Sequence, residues 1–311
     1  MILLSLALSP FFKRPFKGRQ DGTPLLAYYH EDTYSDLTAT PFSFYSGKWR
    51  LRGFVYAPKD QAIKGLIVFF HGIGAGHYAY LIEIHNLAKA GYLVYAYDNT
   101  ACGLSEGKDL NSLSTGVLDQ KAFFRFLDND PKAQGLTRYA VGHSWGGFLA
   151  LCALNPAYHI SKVVSLAGFD SVYSLARSHY PAIRFGRWLA LEVQWLNYGK
   201  AGLVSGLKLM KKTTCPVLYI QGEEDQMVPF QATGLHFQKE CAGHPNIHFL
   251  FRPGLAHQPY WTLEGEKYAG PILDAIWKSD YQRDLNFKID YARFTSDDPA
   301  VLKAIIDFLA E

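Results

Sequence analysis

Six short apolar runs recur along the chain, at 65–70 (GLIVFF), 92–97 (YLVYAY), 138–142, 162–167, 216–220 and 246–251. Continuous apolar runs of this length read as strands covered on both faces. Between them lie stretches with helical periodicity. Residues 78–90 place Leu81, Ile84, Leu87 and Ala88 on one face and stop at Gly91. Residues 112–128 end before Pro131, and 145–154 end before Asn155 and Pro156. A last helix starts at the Asp297, Asp298, Pro299 cap and runs to Leu309. Strands that alternate with helices pair in parallel through right-handed crossovers. The expected fold class is therefore α/β: a mostly parallel twisted sheet, doubly wound and flanked by helices.

Upstream, residues 42–46 and 50–57 read as two extended segments joined through Gly47, a hairpin. The organisation expected is an N-terminal arm over 1–40 and one domain over 41–311. Two stretches, 170–212 and 258–296, interrupt the rhythm; neither is polar enough for a linker, so both are expected to be structured insertions.

Composition narrows the function classes. With 49% hydrophobic and 15% aromatic residues in 311, the chain can bury a core, and 19% charged residues do not describe a disordered chain. The net charge of +3 creates no field for nucleic acid. No apolar run reaches the length of a membrane span. Cys102, Cys152, Cys215 and Cys241 form neither a CxxC pair nor a metal-ligand cluster, so reduced thiols and no metal are expected. The opening MILLSLALSP has no preceding basic residue and no clean cleavage site, which favours a cytoplasmic chain. Lys13, Arg14, Lys17 and Arg19, interleaved with Phe11, Phe12 and Phe16, are expected to pack on their own domain rather than on a membrane.

The chemistry is carried by residues 142–146, Gly-His-Ser-Trp-Gly, which follow a strand and open a helix. That is the setting of a nucleophile elbow, in which a sharp turn exposes a serine and crowding demands small flanking residues. Three further motifs accompany it: HGIG at 71–74 after a buried strand, QGEEDQMVP at 221–229, and GLAH at 254–257. In these four motifs and their order the chain resembles the α/β-hydrolase fold family, in its serine esterase and serine aminopeptidase-like branch, over about residues 40–311. The resemblance implies Ser144 as nucleophile, Asp225 as acid and His257 as base, with the amides of Ile73 and Trp145 as oxyanion donors. It also implies a short helical cap over the site at about 170–212.

The residue types suit that chemistry independently. A serine hydroxyl needs a base to take its proton, imidazole titrates near neutrality, and a carboxylate must hold the imidazole's tautomer. Glu223 and Glu224 adjoin Asp225, and Asp170 also follows a strand, but the motif register favours the aspartate at 225. His71 is expected to be structural and His143 to stand behind Ser144, Asp225 and His257, as neither acid nor base, while His244 and His248 are expected to pack or lie at the surface. The segment 98–107, DNTACGLSEG, lacks the arginine many members of the family carry there.

In the insertion, Trp188, Leu191 and Trp195 fall at helical spacing and are candidates to wall a substrate pocket, or else they pack the insertion onto the core. Arg177, Arg184 and Arg187 indicate no particular ligand. The reading that follows is hydrolysis of carboxylic esters through an acyl-enzyme, with a small-molecule ester or acyl substrate and no cofactor. Peptidase, amidase or thioesterase activity on the same residues is the alternative. A peptidase of this kind needs a pair of carboxylates to hold a free amine, and Glu192 is the candidate for one of them; a non-catalytic hydrolase-like binding protein is the remaining class.

Overall fold

A computed structural model describes residues 9–10, 13–26, 28–74, 76–278 and 288–311. Strands β1 (Leu37–Ser46) and β2 (Trp49–Pro58) form a hairpin around Gly47, whose φ of +58° suits a residue without a Cβ. β3 (Gly65–Phe70), α1 (Leu81–Lys89), β4 (Tyr92–Tyr97), α2 (Ser114–Leu127), β5 (Arg138–His143), α3 (Trp145–Cys152) and β6 (Ile160–Leu166) follow. Then come α4 (Val172–His179), α5 (Arg187–Tyr198), α6 (Gly206–Met210), β7 (Val217–Gly222), α7 (Gly234–Glu240) and β8 (Ile247–Arg252). α8 (Leu263–Lys278), α9 (Tyr291–Phe294) and α10 (Pro299–Ala310) close the chain.

The eight strands make one sheet in the order β1-β2-β4-β3-β5-β6-β7-β8, antiparallel at β1–β2 and β2–β4 and parallel from β4 onward. The apolar runs explain why. Every residue of β3, β4 and β7 is buried, so each strand feeds two cores at once. Leu66, Val68 and Phe70 of β3 join Phe123 and Phe124 of α2 and Phe148 of α3 on one face. Ile67 and Phe69 join Ile84 and Leu87 of α1 and Val301, Ile305 and Leu309 of α10 on the other. Each such side chain contributes about 1.5–3 kcal/mol when fully buried.

The α/β class stands. β1 begins at Leu37, which pairs with Pro58, so residues 37–40 belong to the sheet and not to the arm. Side-chain alternation in 37–41 is interrupted by Pro41, which hid the strand's first half; an edge strand tolerates proline. The stretch between β6 and β7 is helical, as is most of what is described between β8 and α10. Residues 279–287 of the second insertion lie outside the described residues. Cys102, Cys152 and Cys241 are buried, Cys215 is half-buried, and all four are free thiols.

Candidate active site

Ser144 sits at the turn between β5 and α3, with φ +58° and ψ −116°, a left-handed backbone that costs a non-glycine residue energy. The turn is held because its amide donates to the Leu166 carbonyl (2.8 Å) and its own carbonyl receives the Phe148 amide (3.0 Å). The flanking glycines are required by backbone proximity. A Cβ on Gly146 would lie 1.8 Å from the Phe70 carbonyl oxygen, and one on Gly142 would lie 2.3 Å from the Gly146 oxygen.

Three side chains from three strand ends meet here. The Ser144 hydroxyl lies 2.9 Å from His257 Nε2, and His257 Nδ1 lies 3.0 and 3.1 Å from the two Asp225 oxygens. Asp225, wholly buried, follows β7; its carboxylate also accepts from the Met227 and Val228 amides (2.9 Å each) and from Gln221 (3.1 Å). Burial alone would raise the Asp225 carboxyl, but the facing His257, the Val228 amide and Gln221 outweigh it and hold it below its ordinary value. A carboxylate acceptor on Nδ1 fixes that proton and leaves Nε2 as the lone pair facing the hydroxyl.

His143, within the serine motif, is buried beneath His257. Its Nε2 donates to the His257 carbonyl (2.8 Å), so its Nδ1 must accept from the Tyr80 hydroxyl (2.9 Å). Burial, reinforced by the nearby His257, lowers it to about 3, so it stays neutral. His71 likewise is buried, its Nε2 accepting the Asn99 amide (3.0 Å). Trp145 opens α3, so its amide is among the first-turn donors with no partner within the helix, while its indole donates to Leu113 (2.9 Å). Ile73 lines the cleft beside Ser144, followed by Gly74 with φ +85°.

The alternatives fall elsewhere. Glu223 and Glu224 are exposed. Asp170 binds the start of α6, through the Ser205 hydroxyl and the Leu207 amide (3.0 Å). His244 is half-buried and His248 exposed, neither at the site.

A cleft of about 100 Å³ opens at Ser144 and His257. Trp188, Leu191 and Trp195 do not line it, which corrects the expectation drawn from their spacing. α5 turns Ala190, Val193 and Gln194 inward, so the opposite stripe faces solvent, with Trp188 77% and Trp195 53% exposed. Glu192, Arg177, Arg184 and Arg187 are absent from the cleft as well. Its walls instead include Tyr80 and Glu83, Gln258, Tyr260 and Trp261, and residues from both ends of the described chain. A larger hollow of about 900 Å³ between the β1–β2 hairpin and α2 contains none of the three site residues.

Glu83 was not foreseen. It lies four residues before the buried Leu87 and so shares its face, a spacing visible in the sequence. Burial, with Asp297 behind it, pushes its carboxyl well above the ordinary range. Asp297 is itself raised by burial to about 7, its Oδ2 accepting from Asn86 (3.2 Å) while its Oδ1 is buried without a partner.

The segment 98–107 lacks an arginine of its own, and the arm supplies one. Arg19 donates to the carbonyls of Gly103 (2.7 Å), Ser105 (2.9 Å) and Gly107 (3.0 Å). Asp98 inside that segment receives the amides of His77 and Leu104, both at 2.7 Å.

With this geometry in place, comparison with known proteins supports the fold. Residues 61–198 match the family model of the serine aminopeptidases, S33. The chain is similar to a proline iminopeptidase of Thermoplasma volcanium, 30% identical over 117 residues, which cover 37% of this chain and 38% of that protein's length. It is also similar to the alpha/beta hydrolase domain-containing protein WAV2 of Arabidopsis thaliana, 23% identical over 224 residues, 70% of each. In structure it resembles the Pyrococcus furiosus esterase Pf2001, with a TM-score of 0.61 and 18% identity, covering 85% of this chain and 98% of the esterase. The chain has the α/β-hydrolase fold, and its residues 61–198 are similar to the serine aminopeptidases. Among the described residues no helix is long and apolar enough to cross a membrane.

Proposed function

We propose that this protein is a serine hydrolase that cleaves small carboxylic esters through an acyl-enzyme. The observation that carries the reading is the unbroken relay from Ser144 Oγ through His257 to buried Asp225, at 2.9 and 3.0 Å. Ser144 attacks the carbonyl carbon as its proton passes to His257 Nε2; the ester C–O bond then breaks, and the alcohol leaves with that proton. Water, deprotonated by His257, attacks the acyl-serine and releases the acid. The amides of Ile73 and Trp145 receive the oxyanion, each such donor contributing about 3–4 kcal/mol in the transition state. Asp225, held in its ionised form, stabilises the imidazolium between the two steps. The similarity to the Pyrococcus furiosus esterase supports the fold on which this chemistry rests.

The test is hydrolysis of p-nitrophenyl esters by the wild type and Ser144→Ala. Turnover lost by at least about 10⁴-fold in the variant supports the assignment. Equal rates in the two proteins would refute Ser144 as nucleophile.

A second reading is an aminopeptidase-like amidase, and Glu83 in the cleft wall favours it. An entering ammonium would draw the Glu83–Asp297 pair into its ionised form and be held by it. Aminoacyl p-nitroanilides distinguish the two: turnover of these above the esters, abolished by Glu83→Gln, selects the amidase. Thioester cleavage uses the same relay and is tested with acyl thioesters.

A further inference from the structure

The outer wall of the cleft comes from the N-terminal arm. Leu26 and Tyr28 line it together with Ser144, with Trp261, Leu273 of α8 and Phe294 of α9 adding to the apolar lining. The arm is fixed on both sides of this point. Upstream, Arg19 is bonded to three carbonyls of the 103–107 loop, and Gly18 donates to Asp109 (2.7 Å). Downstream, the Tyr78 hydroxyl donates to Glu31, and Tyr34 stacks on His85 with centroids 3.9 Å apart. Between these anchors Tyr28 stacks on Tyr291 (3.9 Å, 22°) and meets Phe294 edge-on (6.4 Å). Tyr28 is therefore held by packing on two sides and presents a preformed surface to the cleft.

We infer that the arm, and not the helices between β6 and β7, builds the acyl-binding subsite of this enzyme, with Leu26 and Tyr28 setting the length of acyl chain accepted. This rests on the serine-hydrolase reading of Ser144. The acyl group, and not the alcohol, belongs on the enclosed side. It stays bonded to Ser144 through both half-reactions, whereas the alcohol must depart before water enters. At about 100 Å³ the cleft lies well below the roughly 300–1,000 Å³ of sites that hold drug-sized ligands, so the class of substrate is an ester of a short unbranched acid.

The test compares p-nitrophenyl esters of increasing acyl length on the wild type, Leu26→Ala, Leu26→Trp and Trp188→Ala, with Ser144→Ala as blank. The wild type is expected to favour the shortest acids. Leu26→Ala raises kcat/KM for the octanoate relative to the acetate by about tenfold or more, the scale on which apolar pockets discriminate chain length. Leu26→Trp shifts the ratio the opposite way, and Trp188→Ala leaves it unchanged. Opposite shifts from one position do not arise from loss of fold, and matching thermal melts check this. Unchanged profiles in both Leu26 variants, with Ser144→Ala inactive, overturn the arm subsite and leave the hydrolase reading standing. A profile moved by Trp188→Ala and not by Leu26 also overturns it. No turnover of any ester above the blank removes the ester-hydrolase reading, and this inference with it.

Discussion

The turn that carries Ser144 is made from residues 138–148, adjacent in sequence and crowded by backbone. The wall it faces joins Leu26 and Tyr28 to Leu273 and Phe294, drawn from opposite ends of the chain. On the first side the neighbours of each glycine are backbone atoms, which cannot move aside. On the second the neighbours are rings and branched side chains, which can be exchanged for others of similar size. Identity is therefore dictated at the turn, whereas the wall is set by volume. A fold of this kind keeps its chemistry in the rigid part and its selectivity in the replaceable one.

The largest expected effect lies on the rigid side. Asp225→Asn should lower kcat by about 10⁴-fold with little change in melting temperature, because the amide presents a donor where His257 needs an acceptor. Steady-state kinetics with a thermal melt would check it; a loss under tenfold would mean that Asp225 does not orient His257. Next, Gly146→Ala drives a Cβ into the Phe70 carbonyl, 1.8 Å away, and should destabilise the fold by about 3 kcal/mol or more in urea denaturation. A neutral result would erase the contrast between backbone-walled and side-chain-walled regions.

His143→Phe should have a smaller effect, lowering kcat roughly tenfold as the bond to the His257 carbonyl is lost. Because His143 is held neutral by burial, with a value of about 3, the loss should be uniform from pH 6 to pH 9. A pH-dependent loss would show that it titrates.

The smallest effect concerns Asp297. Its folded value of about 7 exceeds that of an unfolded carboxyl, near 4, so between those limits the native state holds a proton the unfolded state has released. Stability therefore falls as pH rises through that window and levels off above it. Asp297→Asn should flatten this slope, giving a variant whose melting temperature changes less than the wild type's between pH 5 and pH 8.

What was legible follows the same division. The buried strands announce themselves because a strand covered on both faces has no polar positions, and all of GLIVFF and YLVYAY is buried. Ser144, Asp225 and His257 stand out because each closes a strand within a motif whose small residues are sterically required. The residues of the wall carry no such mark. Tyr28 looks like any aromatic in an irregular segment until Tyr291 is beneath it. Trp188 and Trp195 misled for the converse reason: helical spacing shows that residues share a face, but not whether that face meets the core or the solvent. Pro41 hid the first half of β1 by the same limit of local reasoning, since only the pairing with β2 identifies it.

The stacking of Tyr28 on Tyr291 joins positions 263 residues apart, by subtraction of their numbers. During synthesis the arm emerges well before its docking partner. The turn at Ser144 needs nothing beyond β6, since its amide binds Leu166, whereas the enclosure waits for α9. Contacts this distant in sequence are also the slowest to form. A chain still on the ribosome can thus shape the turn at Ser144 before Tyr28 has Tyr291 to stack on, so the two sides of the cleft form at different times.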